Sequence, residues 1–594
     1  MSTGAGSSST NLGTGTRRLV RLRIWWGERF HFNEWQATLF WAAVIGFAGA
    51  WTSIGFKEAT EWLHRVFTGH GESPAEGYVE SFRAMEPWQR LLVPTLGGLL
   101  AGITLWFGSR YKTAAHSTDY MEAVVVGDGN LAVRVSLIKS VSAWFSAASG
   151  ASIGREGPLV QLSSLAASLF GRWRAFPLAQ KRQLVACGAA AGIASAYNAP
   201  IAGAFFVAEI VLGSLAMEAF GPLVIASVVA VLVTRSHYGA EALYAAPAIT
   251  LQSNLELLWY LGLGLVSGLL VPVFLWLLKA GEMAFSRLKL PAPARLALGG
   301  LVVGGLAWFH PEVAGNGRAL VFSVLHGPGA WQILAVTLVC KVVATSATFG
   351  SGAVGGVFTP TLFTGAAIGY LLGVLASVVA PGAGLHPEAF ALVGMGAFLA
   401  ASTGAPVMAI LMLFELTLNY QVILPAVVAS GAGYYLCRAM GVRPLYGEAL
   451  ERKGAVIVAQ HLATLKVGDL VAKDAAVLSP NASFGEVARA FLQSRRDSLH
   501  VVDGEHLAGV ISLHDIKPYL DQPELESLLI ARDVMHEDVP RCAPDQTMGE
   551  ALEFFSRAEM ERLPVTKPDG TFLGAIARAD VLLFLAGKPR AAGA

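Results

Sequence analysis

The stretch Gly150-Ala-Ser-Ile-Gly-Arg-Glu-Gly-Pro158 sets a charged pair in a glycine-rich turn between two long apolar segments. Its three glycines allow the backbone to turn sharply or to approach a ligand closely. Pro158 suits the first turn of a helix, which the apolar residues 159–170 would continue. Because ionisable residues are costly inside a membrane, a charged pair in such a place indicates a functional site.

A helix that begins at this turn would point unpaired backbone amides and a positive dipole end at whatever lies before it. Such an arrangement binds anions, and the residues predicted to bind one here are Gly154, Arg155 and Gly157. Glu156 carries a carboxylate beside that position and would compete with the anion. The alternative is structural: Arg155 and Glu156 form a buried ion pair that holds two helices together.

The pattern occurs twice along the chain. Gly154-Arg-Glu-Gly-Pro158 is matched by Gly356-Val-Phe-Thr-Pro360, and the stretch 188–200 is matched in length and character by 394–406. Each copy is a glycine- and proline-interrupted apolar segment. Two related halves with breaks at corresponding places are typical of transporters whose site is built from broken helices where the repeats meet.

Composition places most of the chain in a membrane. Of 594 residues, 54% are hydrophobic and 14% are charged, and the mean hydropathy is +0.53. A net charge of +1 argues against nucleic acid as a partner. The four cysteines stand far apart, so neither a disulfide framework nor a metal site is predicted. We find no nucleophile–base set or phosphate-binding loop, and therefore expect neither an enzyme nor a bound cofactor.

Changes in composition predict five segments. Arginines that precede the first apolar span favour a cytoplasmic N-terminus. We expect a multi-pass protein of the plasma (inner) membrane with its N- and C-termini in the cytoplasm. Several apolar stretches are shorter than the ~20 residues of a straight span, so tilted or broken helices are expected. The polar stretch 57–86, with His64 and His70, is predicted to be an external loop. The segments are a disordered basic tail (1–34), a transmembrane domain (35–450), a linker (451–465) and two small repeats (466–524 and 525–587).

The transmembrane part resembles the CLC family of chloride channels and chloride/proton exchangers. The motifs that carry the resemblance are Gly154-Arg-Glu-Gly-Pro158, Gly355-Gly-Val-Phe-Thr-Pro360, Asn198-Ala-Pro200 and Arg443-Pro-Leu-Tyr446. The resemblance implies an α-helical fold made of an inverted repeat of tilted and broken helices. It also implies a homodimer in the lipid bilayer with one pore per subunit, and chloride, with protons in the exchangers, as the transported ions.

The same resemblance assigns roles to individual residues. Glu156 would be the external gating glutamate, and Tyr446 would close the central anion site with its hydroxyl. Val357 and Phe358 would offer backbone N–H groups to the anion.

One departure from the family concerns a serine that contributes a hydroxyl to the central site. The equivalent region here reads Ala115-His-Ser-Thr-Asp-Tyr-Met-Glu-Ala123. Counting back from Glu156 without gaps gives Ala115 at the serine position, whereas a shift of one or two residues gives His116 or Ser117. Asp119, followed three residues later by Glu122, predicts a capped helix start.

A second departure concerns proton coupling. The family's exchangers usually carry an inner carboxylate one position after the glutamate that matches Glu209, and here that position is Ile210. Glu209 and Glu415 each lie nine residues past a proline, and we interpret both as helix-end residues paired at the cytoplasmic side. The expected function is therefore passive chloride conduction, and the alternative is a proton-coupled antiporter.

The last two segments resemble a pair of CBS domains, predicted as strand–turn–strand–helix units preceded by helices at about 484–495 and 547–559. Such pairs often bind adenine nucleotides through a Ser/Thr and an Asp. Ser512 and Asp515 keep that pattern, whereas the second repeat has Ala577 with Asp580. Asp515 and Asp580 are equally interpretable as helix N-caps. A third function, a membrane-anchored nucleotide sensor, leaves the duplicated helix breaks unexplained.

Overall fold

The computed structural model describes residues 34–70, 78–110, 117–244, 253, 255–447, 465–472, 476–494, 497–519, 528–558 and 561–585. The chain divides into two compact units, Met1–Leu450 and Glu451–Ala594. The predicted tail and linker, apart from their last residues, lie outside the described residues.

The first unit is helical. Its helices, in chain order, are α1 (Glu34–Thr68), α2 (Val79–Ala84), α3 (Pro87–Ser109), α4 (Tyr120–Val125), α5 (Val133–Ala148), α6 (Glu156–Trp173), α7 (Leu178–Tyr197), α8 (Pro200–Phe206), α9 (Met217–Tyr238), α10 (Glu256–Arg287), α11 (Ala292–Phe309), α12 (Arg318–Leu325), α13 (Trp331–Gly350), α14 (Phe358–Val379), α15 (Pro387–Thr403), α16 (Pro406–Thr417) and α17 (Ile423–Ala439). A π-helical turn, Val207–Leu212, follows α8.

Within the described residues, eight helices are long and apolar enough to cross a membrane. Others, such as α8 and α16, are too short to do so alone. The predicted external loop 57–86 is wrong in its first part, because α1 continues to Thr68. His64 is buried on this helix, with Nδ1 2.8 Å from the Ala148 carbonyl oxygen and Nε2 3.2 Å from Ser81 Oγ. Hydrogen bonds of this kind let a polar helix face pack inside the protein.

The two long matched stretches break in the same way. Helix α7 ends at Asn198, whose φ of 56° is left-handed, and Pro200 then opens α8. Helix α15 ends at Gly404, with φ of 73°, and Pro406 opens α16. A left-handed residue ends a helix, and proline two positions later suits the start of the next one. The predicted breaks are therefore confirmed as helix–turn–helix junctions.

The two short matched stretches form equivalent loops that meet. Gly150 and Gly352 open the loops with φ values of 86° and 89°, and α6 and α14 begin at their ends. Between them Gly154 N–H donates to the Gly356 carbonyl (2.6 Å) and Gly356 N–H donates to the Gly154 carbonyl (3.1 Å). An antiparallel bridge between equivalent residues is what a local two-fold axis produces. The predicted fold class, an inverted repeat of tilted and broken helices, is confirmed.

Close packing of these helices depends on glycine. An added Cβ at Gly365 on α14 would collide with the Gly394 carbonyl of α15, and one at Gly394 would collide with the Gly365 carbonyl. Small residues at such crossings let two backbones approach closely inside a membrane. The packing explains why so many of the 65 glycines fall within apolar segments.

The second unit is an α/β pair of repeats. Its elements are β1 (Val477–Leu478), α18 (Phe484–Ser494), β2 (Ser498–Asp503), β3 (His506–Ser512), α19 (Leu513–Ile516), α20 (Ala531–Val534), α21 (Met548–Ala558), β4 (Arg562–Thr566), β5 (Phe572–Ala577) and α22 (Arg578–Leu585). β2 pairs antiparallel with β3, and β4 with β5, while β1 adds parallel to β2. The turns contain Gly504 and Gly570 at positive φ. The predicted hairpins and both preceding helices are confirmed.

Backbone hydrogen bonds join the two repeats where their hairpins meet. Leu507 N–H donates to the Gly570 carbonyl (3.2 Å), and Phe572 N–H donates to the Glu505 carbonyl (2.8 Å). A small apolar core lies behind each hairpin. Ala531 and Val534 of the second repeat join the core of the first hairpin, and Val467 of the first repeat joins the core of the second.

Candidate functional site

Glu156 lies at the first position of α6 and is only 5% exposed. Its Oε1 accepts a hydrogen bond of 2.9 Å from Phe358 N–H, at the N-terminus of α14 in the other half of the molecule. The Tyr197 hydroxyl and the Thr359 amide also lie within hydrogen-bonding reach of this carboxylate. The carboxylate therefore occupies the place where a free anion would meet the positive end of the α14 dipole.

Two glycines leave room for this carboxylate. A Cβ added at Gly154 or at Gly356 would overlap the oxygens of Glu156. Gly157 plays a different part, because a Cβ there would lie 3.2 Å from the backbone of Gly355. The glycine-rich stretches thus form a backbone cradle around an anionic group. Of the residues predicted by resemblance, Val357 is the buried N-cap of α14, and Phe358 is the observed N–H donor.

The structural alternative, a buried ion pair between Arg155 and Glu156, is absent from the part of the chain that the structure describes. The Arg155 guanidinium instead lies over the Tyr78 ring, 4.7 Å from its centroid, in a cation–π contact. Tyr78 stacks in turn on His64, with ring centroids 3.7 Å apart.

A cavity of about 80 Å³ borders the Glu156 carboxylate. Lys57, Arg155 and Arg318 contribute three cationic side chains to its wall, and the polar groups of Asn316 and Tyr244 also line it. A chamber with more positive than negative side chains concentrates anions. Its lining residues come from α1, α6, α7, α9, α12 and α14 and from the segments that follow α9 and precede α12.

A row of aromatic rings connects the Phe358 donor with Tyr446. The Phe358 ring lies 4.9 Å from that of Tyr197 and 6.4 Å from that of Phe206, which in turn lies 5.8 Å from Tyr446. The segment that carries it is fixed by Leu445 N–H, which donates to the Ser402 carbonyl at 2.9 Å. The structure thus brings Tyr446 and Glu156 into one region.

The region that replaces the family's serine is organised by Asp119. Its side chain accepts from Met121 N–H (2.9 Å) as the N-cap of α4, so the predicted capped helix start is confirmed. Ser117 is not brought to the other site residues by its contacts: its Oγ lies beside Gly127, past the far end of α4, and its backbone pairs with Leu131. Ala115 and His116 lie outside the described residues.

Glu209 and Glu415 form a reciprocal pair of helix caps. Glu415 accepts from the Ile201 and Ala202 amides of α8 at 2.9 and 2.8 Å. Glu209 accepts from the Val407 and Met408 amides of α16 at 3.2 and 2.7 Å. Glu415 lies in the last turn of α16 and caps the N-terminus of α8, while Glu209 lies in the π-helical turn after α8 and caps the N-terminus of α16.

This arrangement corrects the interpretation of both glutamates as paired at the cytoplasmic side. Since α8 and α16 run in opposite directions, the two carboxylates lie at opposite ends of the helix pair. Sequence reasoning missed the partnership, although the equal spacing of nine residues after Pro200 and Pro406 was the available signal. Ile210 belongs to the π-helical turn and packs half-buried against the apolar core.

In the second unit, Ser512 and Asp515 bind each other. Ser512 is the N-cap of α19, and its N–H and hydroxyl donate to Asp515 Oδ2 at 2.8 and 2.7 Å. Asp515 Oδ1 lies 3.0 Å from His536 Nε2. The N-cap interpretation is therefore wrong in position for Asp515, which is the third residue of its helix, and Asp580 likewise lies in the first turn of α22. Burial favours a higher pKa for Asp515, but the hydrogen bonds from Ser512 and His536 outweigh it and hold that pKa below its usual value.

A broken-helix inverted repeat with a carboxylate on an anion-binding helix terminus defines a class of membrane protein that moves small anions. Comparison with family models agrees: residues 96–438 match the voltage gated chloride channel family, and residues 467–521 and 531–587 match the CBS domain. The chain belongs to the CLC family of chloride channels and transporters and carries a C-terminal CBS pair.

Individual relatives match almost along their whole length. A putative chloride channel protein ClcB-like of Ralstonia nicotianae is 51% identical over 415 residues, which are 69% of this chain and 96% of the relative. The voltage-gated ClC-type chloride channel ClcB of Salmonella typhimurium is 40% identical over 412 residues, covering 68% of this chain and 97% of the relative. These relatives match about two thirds of the present chain.

Two solved structures share the fold. A slow cyanobacterial Cl⁻/H⁺ antiporter superposes with a TM-score of 0.62 at 26% identity, over 71% of this chain and 98% of the other. A eukaryotic CLC transporter superposes with a TM-score of 0.57 at 18% identity, over 91% of this chain and 97% of the other.

Proposed function

We propose that this protein conducts chloride passively across the plasma membrane and that Glu156 is the gate of its pore. The observation that carries the proposal is the hydrogen bond from Phe358 N–H to the buried Glu156 carboxylate. A carboxylate carries the same charge as chloride, so it stands in for the ion at the N-terminus of α14. While the Glu156 carboxylate occupies this position, a chloride ion cannot bind there.

The gate opens when the carboxylate leaves. Protonation removes the negative charge that the Phe358 amide and the α14 dipole attract, and the neutral side chain gains little by staying. The adjoining cavity offers it a place beside Lys57 and Arg318. Chloride drawn to the same cations can then occupy the vacated cradle, which is lined by Gly154 and Gly356.

Passive conduction is favoured over proton exchange by the acidic groups that remain. An exchanger needs a titratable group between the inner surface and Glu156, and Ile210 offers none. Glu209 and Glu415 have both carboxylate oxygens engaged by backbone amides, which fixes their positions. The alternative, a proton-coupled chloride antiporter, draws support from the Cl⁻/H⁺ antiporter of similar fold.

Ion flux measured with the purified protein in liposomes distinguishes passive conduction from proton-coupled antiport. We expect a chloride gradient to drive chloride flux, with a reversal potential that follows chloride alone, and a pH gradient to leave chloride at equilibrium. Uphill chloride movement driven by a pH gradient, and abolished by Glu156→Gln, would overturn passive conduction and establish the antiporter. The Glu209→Gln variant would then test whether that carboxylate relays the proton.

The assembly that we propose is a homodimer with one pore in each subunit and with both termini in the cytoplasm. Support comes from family membership and from the arginines before the first span, Arg17, Arg18, Arg21, Arg23 and Arg29. Mass measurement of the detergent-solubilised protein tests the dimer, and protease protection in sealed inverted vesicles tests the side of the C-terminal unit.

Adenine nucleotide binding by the CBS pair stays a prediction. It would use Ser512 and Asp515, whose polar groups already satisfy each other at the start of α19. A ribose would therefore have to replace existing hydrogen bonds, which lowers the expected affinity. Calorimetric titration of the full-length protein with ATP, ADP and AMP tests this, and the absence of heat in all three titrations would contradict it.

A further inference from the structure

Lys341 lies in the middle of α13, one of the helices long and apolar enough to cross a membrane, and is only 1% exposed. Within the described ranges, no carboxylate forms an ion pair with its ammonium group. An ionisable residue in such a place is costly and usually marks a function. An apolar side chain of similar length would fill the space without that cost.

The ammonium group binds the segment that leads from α11 to α12. Lys341 Nζ donates to the Val313 carbonyl at 2.7 Å and to the Gly315 carbonyl at 2.5 Å. The backbone bends around this side chain, since Gly315 and Gly317 have left-handed φ values of 76° and 98°, which favour glycine. A Cβ added at Gly317 would lie 3.4 Å from Lys341 Cε. Segment 313–317 is therefore shaped closely around the lysine.

The same segment is tied to the loop that carries Glu156. Gly315 N–H donates to the Gly150 carbonyl at 2.8 Å, and Gly150 opens the loop that ends at Glu156. Both polar backbone groups of Gly315 are therefore engaged, the carbonyl by Lys341 and the N–H by this loop. Through one glycine residue, Lys341 connects α13 with the start of the Glu156 loop.

Segment 313–317 ends at the wall of the cavity beside Glu156. Asn316 Oδ1 accepts from Arg318 N–H at 3.1 Å where α12 begins, and both residues line the cavity. The position of Arg318 depends on the backbone just before it, which Lys341 holds. An ion pair between Arg83 and Glu312 (3.2 Å) also contacts this part of the chain, but exposed pairs of this kind contribute little.

The sequence repeat places a second lysine at the equivalent position of the first half. Lys139 lies 17 residues before Glu156. Lys341 lies 17 residues before Phe358, which occupies the matching place in the second half. Lys139 Nζ donates to the Thr118 carbonyl at 2.9 Å, in the segment that leads into the short helix α4. Because both halves use a lysine to hold the backbone before a short helix, the contact indicates a positioning role.

We infer that Lys341 is a positioning residue of the pore, whose ammonium group holds segment 313–317 so that Arg318 stays in the wall of the cavity beside Glu156. Lys341 does not itself line that cavity, so it acts through Arg318. The inference rests on the proposed function, because it needs chloride to reach Glu156 through the cavity. Arg318 then raises the local concentration of chloride, and Lys341 keeps Arg318 in place to do so.

Chloride currents through the purified full-length protein in planar bilayers test the inference, with the chloride concentration varied on one side at a time. The pH is kept acidic so that the gate stays open. We expect Arg318→Gln and Lys341→Met each to raise the half-saturating chloride concentration about twofold to fivefold, the effect of one partly exposed charge pair. The increase should fall on the same side of the bilayer in both variants. Lys279→Met, at an exposed lysine of α10, is the matched control and should behave like the wild type.

The double variant decides whether Lys341 acts through Arg318. If it does, Lys341→Met adds little once Arg318→Gln has removed the cation, so the double variant should resemble Arg318→Gln alone. Multiplying effects, or an unchanged half-saturating concentration in either single variant, would overturn the inference and leave the proposed function standing. A wild-type protein that carries no chloride current would overturn the proposed function, and the inference with it.

A milder substitution keeps the test available if Lys341→Met does not fold. Lys341→Arg retains a cation with several donors, but its planar guanidinium cannot reproduce the ammonium contacts to Val313 and Gly315. It should show a smaller increase in half-saturating chloride concentration, which disappears when Arg318 is replaced as well. An unchanged concentration, or an increase that persists in the Arg318→Gln background, would contradict the inference.

Discussion

The carboxylate of Glu156 and those of Glu209 and Glu415 all cap a helix N-terminus, but they do so in different ways. All three carboxylates accept hydrogen bonds from the N-terminus of a helix in the opposite half of the molecule. Glu209 and Glu415 use both oxygens and accept from two amides each. Glu156 accepts from the Phe358 amide through Oε1 at 2.9 Å. Only Glu156 has the cationic cavity beside it. Glu156, with fewer bonds and free space beside it, is placed to move as a gate. We call Glu209 and Glu415 the two clamps, because their amide bonds hold the two halves of the molecule together.

The largest expected effect is that of Glu156→Gln. The neutral amide loses the charge-assisted bond to Phe358 N–H, so chloride flux at neutral pH should rise roughly tenfold or more. Acidification should no longer increase it. Flux measured in liposomes between neutral and acidic pH checks both, with Glu415→Gln as the matched control that should keep the acid activation of the wild type. Wild-type pH dependence in Glu156→Gln would contradict the gate.

Removing the carboxylate of Glu209 or of Glu415 should lower the stability of the protein and leave gating by Glu156 intact. Glu209→Ala or Glu415→Ala leaves two helix amides without their acceptor, which should destabilise the folded protein by about 2 to 4 kcal/mol. Thermal unfolding of the detergent-solubilised protein measures this, and residual flux should still respond to acid. Unchanged unfolding temperatures in both variants would show that the caps contribute nothing.

A smaller effect on chloride flux is expected when the space around the Glu156 carboxylate is filled. Gly154→Ala puts a methyl group where the carboxylate oxygens lie, so the closed position should be weakened and neutral-pH flux should rise severalfold. Gly55→Ala is the control, since a Cβ at Gly55 meets no atom within 4 Å. Equal flux from the two variants would mean that the carboxylate relaxes into another closed position.

The smallest effect is expected at a carboxylate of the second unit, Asp515. Because the folded state lowers the pKa of Asp515, its ionised form adds stability at neutral pH that is lost as the pH falls through that lowered pKa. Asp515→Asn should therefore lower stability by about 1 kcal/mol or less at neutral pH, as loss of a helix cap does. Unfolding curves of variant and wild type should converge in acid; a constant difference would contradict this origin.

Local features of the chain were predictable, and distant partnerships were not. Glycine and proline mark helix ends wherever they fall, so the breaks at Asn198 and Gly404 and the cap at Asp119 followed from the sequence. The caps made by Glu209 and Glu415 join residues about 200 positions apart in the chain, which no local pattern encodes. The polar residues after Lys57 suggested a loop because their burial partners, such as Ala148 for His64, are remote in sequence.

The backbone bridge between Gly154 and Gly356 restricts how the two halves of the molecule can move, and so affects the rate of ion transport. Its atoms lie at the local two-fold axis, and the two clamps tie the same halves together at both ends of α8 and α16. Halves tied at three places cannot rock past one another, and rocking is how many inverted-repeat carriers expose their site alternately. The part that remains free to move is the side chain of Glu156. Side chains change rotamer in roughly picoseconds to nanoseconds, whereas domain motions take roughly microseconds to milliseconds. Ion throughput would then be limited by how often Glu156 takes up a proton.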